Sequence, residues 1–172
     1  MRNTFLLAFA SLLLAIALTI AWVLAVTLFF PHGQLAGLIV DRNSLIRAHI
    51  DYLMMAQFIF LFALLFRQYS IIPPWWVIGA SCYGAFFNPL GFLKRALIAK
   101  PPADAPAIEP YFPLSAAVSF TFITVAFLAA AVLIIRAAWR SSKAVSEALA
   151  SQARSDASSN LNLSAARPKG PL

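Results

Sequence analysis

Residues 4–30 read TFLLAFASLLLAIALTIAWVLAVTLFF, and Pro31-His32-Gly33 follows. No Asp, Glu, Lys or Arg interrupts the chain between residues 3 and 40. A helix crossing about 30 Å of hydrocarbon needs about 20 apolar residues, and this run exceeds that. A cleaved secretory leader has an apolar core of only about 7–15 residues before a small-residue cleavage site. This run is longer and ends in Leu28-Phe29-Phe30, so it reads as a retained span. The composition agrees. Of the 172 residues, 62% are hydrophobic and 11% charged. A soluble domain carries about 25% charged residues, so too few polar side chains exist here to cover a water-facing surface. The chain reads as an all-α integral membrane four-helix bundle.

Charges cut out the other spans. Residues 68–93 and 110–135 are also free of Asp, Glu, Lys and Arg. The four spans are expected at about 4–30, 45–66, 73–93 and 114–138. In the second, the uncharged stretch from Tyr52 to Phe66 holds 15 residues, about 22 Å of helix. The helix must start earlier, with Asn43 or Ser44 as N-cap, which draws His49 and Asp51 to the membrane boundary or inside it. In the third, Pro73-Pro74 suits a helix start and Trp75-Trp76 the interfacial aromatic belt. The pairs Ala80/Gly84 and Ser81/Ala85 permit close helix approach, and Asn88-Pro89 predicts a kink or an end. In the fourth, Ser115, Ser119, Thr121 and Thr124 can bond their own backbone or another helix. Pro101, Pro102, Pro106, Pro110 and Pro113 predict a stiff, extended connection before it.

Residues 1–140 thus form the membrane domain. Residues 141–172 form a polar tail, expected to be largely disordered for want of apolar residues, although Val145 and Leu149 could prolong the fourth helix. The N-terminus, the 2–3 loop and the tail hold eight Lys and Arg, against five in the other two loops. Both termini are therefore expected in the cytoplasm, in a bacterial inner membrane. The net charge of +7 is a topology signal; nucleic-acid binding needs a basic face on a soluble module. The single cysteine, Cys82, excludes a disulfide framework and covalent c-type haem.

Polar groups inside spans are costly and so are functional candidates. His49, Asp51, Gln57, Tyr83 and Asn88 are such groups. Asp51, Gln57, Tyr83 and Asn88 together could line one polar pocket in an apolar bundle, the usual form of a small-ligand site. Arg47 and Asp51 can pair at i,i+4. A lone His cannot build a zinc site, but it can hold haem, whose porphyrin already supplies four nitrogens. Met54, Met55, Phe58 and Phe60 could wall such a cofactor. His32 stands on the same membrane side as His49, so a bis-His electron carrier is a further possibility. A cofactor-free four-span protein, serving as an assembly partner or small transporter subunit, is another.

Arg47-Ala48-His49 with Met54-Met55 behind it, the segment from Gly84 to Asn88, and the ending from Leu133 through Arg136 and Arg140 to Lys143 carry a resemblance. Over about residues 40–145 the chain resembles styrene oxide isomerase and its relatives, small four-span membrane proteins that are similar in turn to hydroxylaminobenzene mutases. The resemblance implies a homo-trimer in the lipid bilayer, with haem b ligated through its iron by His49. It implies that ferric haem acts as a Lewis acid turning a small apolar epoxide into an aldehyde. Two positions depart from the family: Met55 stands where it has an asparagine, and Phe87 where it has a tyrosine. Its span-three aspartate has no counterpart. Asp51, Tyr83 and Asn88 are the residues expected to take the catalytic places.

Overall fold

The computed structural model describes residues 1–98 and 113–165, with side chains as far as Arg154. It is all-α among the described residues, with five helices: α1 (Arg2–Phe29), α2 (Gln34–Leu38), α3 (Arg42–Gln68), α4 (Trp75–Leu97) and α5 (Leu114–Ala165). Three of them, α1, α3 and α5, are long and apolar enough to cross a membrane. α4 has 23 residues, a spanning length. Its two tryptophans, Asn88, Pro89 and the Lys94-Arg95 end dilute its apolar character.

Residues 1–134 form one compact unit and residues 135–172 a second. In the first, α1 buries Leu6, Ala10, Leu13, Ala17, Ile20 and Thr27. Their spacing alternates between three and four, with one seven-residue step, so they form a single stripe. α3 answers with Leu45, Ala48, Tyr52, Ala56, Ile59, Ala63 and Phe66. Alanines recur along both stripes, and small side chains are what allow two backbones to approach closely in lipid, where burial supplies little drive.

α4 lies antiparallel to α3 along its length. At one end the Val40 and Asp41 amides donate to the Ala96 carbonyl, at 2.9 and 3.3 Å. Midway the Tyr52 hydroxyl donates to the Phe86 carbonyl at 3.2 Å. At the far end Arg2 of α1 donates to the Pro73 carbonyl at 2.8 Å and lies 4.9 Å from the centre of the Trp75 ring. The N-terminus and the α3–α4 loop thus share one end of the bundle. α5 packs on both neighbours. Phe127 meets Phe58 and Phe62 of α3, and Phe122 meets Tyr83 of α4. Gly84 presses against the backbone of Ile123, as the small-residue pairs in this span imply.

Several expectations are corrected. The N-cap of α3 is Asp41, not Asn43 or Ser44. Its Oδ1 accepts from the Asn43 and Ser44 amides at 3.1 and 3.3 Å, and its Oδ2 accepts from the Ser44 hydroxyl at 2.9 Å. A carboxylate satisfies the orphan amides better than a neutral side chain and suits the positive end of the helix. Asp41→Ala is expected to cost about 1 kcal/mol, measured by thermal or denaturant unfolding in detergent. Asn88-Pro89 does not end α4, which runs through to Leu97. Pro89 is buried, and packed neighbours allow a spanning helix to tolerate a proline. At the other end of α3, Ser70 adopts φ 51° and the Ile71 amide reaches back to the Phe66 carbonyl at 2.8 Å. This is a helix stop built without glycine. The short helix α2 has no periodic signature in the sequence.

In the second unit, helix runs on to Ala165, past Val145 and Leu149, the residues that could prolong the fourth helix. No glycine or proline occurs between Leu114 and Ala165, and alanine recurs throughout. These residues keep helical conformation without burial, since every one from Trp139 to Arg154 is exposed. The proline-rich connection from 101 to 112 and the last residues of the tail lie outside the described residues.

Candidate functional site

The polar residues of the spans separate into two places. The first is a cavity of about 850 Å³ between α3, α4 and the start of α5. Asp51, Met54 and Met55 of α3 line it. Tyr83, Phe87 and Asn88 line it from α4, and Ser115, Ala116 and Phe120 from α5. Helical spacing explains the set: Asp51, Met54 and Met55 lie on one face of α3, as do Tyr83, Phe87 and Asn88 on α4. Met54, Tyr83, Phe87 and Phe120 keep substantial exposure. In a bilayer the cavity therefore opens sideways to lipid.

The depth of the polar group follows from the pairing of α3 with α4. Asp41 stands level with Ala96, and Tyr52 with Phe86. Asp51 is therefore level with Phe87 and Asn88, about 15 Å of helix below the α3 N-terminus. Asp51 and Asn88 are half-buried and make no hydrogen bond or ion pair among the described residues. The expected Arg47–Asp51 pair does not form, and Arg47 points outward, exposed. Tyr83 stacks edgewise against Phe122 at 5.4 Å and tilts over Phe87 at 4.6 Å, with its hydroxyl unpaired within the chain. A carboxyl, an amide and a phenol thus converge on one apolar chamber with their hydrogen-bonding capacity unspent. Gln57, expected to join them, lies exposed on the outer face of α3. Ser119, Thr121 and Thr124 bond carbonyls of their own helix.

His49 is the second place. Two residues from Asp51, it is turned about 200° round α3 and faces α1. Its Nδ1 lies 2.9 Å from the Ala17 carbonyl. A carbonyl only accepts, so Nδ1 carries the proton and donates, and in the neutral ring the lone pair sits on Nε2. Nε2 makes no hydrogen bond, and no buried polar side-chain atom is left without a partner among the described residues. Nε2 therefore has open surface. This is the arrangement that orients an imidazole as a metal ligand, with one nitrogen anchored and the other free. No group of three or more His, Cys, Asp or Glu that could hold a bare ion occurs among the described residues. The donor set fits a cofactor asking the protein for one axial ligand, as haem does. His32 is exposed between α1 and α2.

Sequence reasoning missed two features. Tyr52 is buried and ties α3 to the turn of α4 that precedes Asn88, next to Pro89, whose missing N–H leaves the Ala85 carbonyl without its helical donor. Lys94 and Arg95 were counted only as loop charges. They lie in the last turn of α4 and line the cavity. Among the described residues the chain is all-α, with three helices fit to cross a bilayer and a chamber between α3, α4 and α5. Family models, curated proteins and solved structures return no match to it.

Proposed function

We propose that the chain is a four-span membrane isomerase acting on a small apolar epoxide, with haem b held by His49. The observation that carries the reading is the convergence of Asp51, Tyr83 and Asn88 in one apolar chamber open to lipid. α4 serves as the fourth span because it lies beside α3 from end to end. Both termini then face the cytoplasm. Reporter fusions after Leu172 and within residues 101–112 should report opposite sides, and the same side for both would refute the span count.

An apolar epoxide reaches the chamber from the bilayer and rests against Phe87, Phe120 and Met54. Tyr83 and the Asn88 amide can donate hydrogen bonds to its oxygen, and the Asp51 carboxyl can stabilise positive charge growing on carbon. The surrounding aromatic walls exclude water, which keeps an opened ring from adding it to give a diol. The overall change is internal: a C–O bond breaks, a hydride moves to the neighbouring carbon, and a C=O bond forms. No oxidant or cosubstrate is consumed. Haem, when bound, supplies a Lewis acid for oxygen. His49 and the chamber lie on opposite flanks of α3, so within one chain they do not meet. The homo-trimer implied by the resemblance could bring His49 of one copy to the chamber of the next.

Haem-loaded protein in detergent is expected to convert an aryl epoxide to the aldehyde with no added cofactor, in the ferric state. Turnover only after reduction, or only with an electron donor, would reject this chemistry. Asp51→Asn is expected to lower kcat by about 10²-fold without loss of the folded protein, followed by aldehyde release.

A further inference from the structure

The chamber has a charged rim that the reaction above does not use. Lys94 and Arg95 line it from the last turn of α4, and Ser115 faces them from the first turn of α5. Neither cation forms an ion pair among the described residues. The first turn of α5 brings no acid, and Asp51, the acid that lines the chamber among the described residues, lies a level deeper. From Phe87 to Lys94 the helix rises about 10 Å, and that carboxyl makes no ion pair with the rim. Cations also suit the negative end of a helix, which places them at this rim. Below the rim the walls are Met54, Met55, Phe87, Leu90 and Phe120.

We infer that the ligand of this chamber is an anionic amphiphile, its acid head held by Lys94 and Arg95 and its apolar body lying between Phe87, Phe120 and Met54. A small inorganic anion has no use for the aromatic walls. A neutral hydrocarbon has none for two cations that are unpaired among the described residues and stand at the edge of an apolar chamber, where an anion can accept charge-assisted hydrogen bonds. The inference rests on reading the chamber as the substrate site and narrows that substrate. It is an apolar compound with an acid group about 10 Å from the atoms that meet Asp51 and Asn88.

Binding tests this independently of turnover. Full-length protein in neutral detergent is titrated calorimetrically with 6-phenylhexanoate and with 6-phenylhexan-1-ol, which share a body and differ in the head. The acid should bind about tenfold tighter, with the advantage shrinking as salt rises. Lys94→Gln/Arg95→Gln should remove the advantage and leave the alcohol's affinity unchanged, which also reports that the chamber is intact. Should the double variant fail to fold, each single variant should lose part of the advantage. Equal affinity for acid and alcohol in the unmodified protein, or an advantage that survives these substitutions, overturns the inference. Repeating the titration in phosphatidylcholine and phosphatidylglycerol nanodiscs separates the sources. Competition by phosphatidylglycerol, dependent on Lys94 and Arg95, would keep the anionic head and assign it to a bilayer lipid. No competition assigns it to a free acid.

Discussion

Gly84→Val is expected to lose about 3 kcal/mol or more of stability, read as thermal unfolding in detergent. A Cβ at position 84 would stand 2.5 Å from the Ile123 Cβ, 2.8 Å from its amide nitrogen and 2.9 Å from its Cα. Two of these three atoms are backbone, so no rotamer change relieves them; α4 and α5 must move apart. Gly84→Ala should already show most of the effect, because the first added carbon makes the clash. Ile123→Ala should not rescue it, since alanine keeps the Cβ and the backbone in place. Gly79 is the control. A Cβ there meets nothing within 4 Å, so Gly79→Ala should be neutral or gain up to about 1 kcal/mol from helix propensity. Equal tolerance at both positions would mean that α4 and α5 do not meet at Gly84.

The long helices were legible because charge placement marks out the apolar runs. The uncharged runs starting near residues 3, 68 and 110 each contain a helix, and the shortfall of Tyr52–Phe66 correctly demanded an earlier start for α3. Details resting on competing local bonds were not legible. Asp41 displaced Asn43 and Ser44 as the cap because one carboxylate can hold two amides and a hydroxyl at once. Pro89 reads as a kink or a stop in isolation, and the helix is carried through it by packing that no sequence window contains. At the site, the cost of polar groups in lipid picked out Asp51, Tyr83 and Asn88, and helix periodicity brings all three to one chamber. The same rule over-reached at Gln57, which faces outward. Periodicity also separates His49 from Asp51, being two residues apart on one helix. What no spacing reveals is that Lys94 and Arg95 line the chamber, because this depends on where α5 begins.

His49→Ala is expected to abolish the haem absorption band, and His32→Ala to leave it nearly intact. The two histidines stand in different physical situations. The His49 ring is held by its Nδ1 bond to the Ala17 carbonyl, so binding at Nε2 orders little that is not already ordered. His32 sits exposed in the turn between α1 and α2, and a ligand there must first immobilise the turn. A single-ligand site also leaves one face of the iron for an oxygen atom, which an isomerase needs and an electron carrier does not. The readout is the visible spectrum of each variant, normalised to protein, after haem-supplemented expression. His49→Ala could also loosen α1 from α3, so His49→Gln serves as the companion variant: its amide can still donate to Ala17 but is a poor iron ligand. Loss of the band in His49→Gln at unchanged thermal stability assigns the ligand role to Nε2. Loss of the band in both His49 and His32 variants would instead favour a bis-His electron carrier. Loss in His32→Ala alone would move the ligand to the turn. An unmodified protein with no band would remove the cofactor and leave a cofactor-free four-span protein, whose chamber the phenylhexanoate titration would still have to explain.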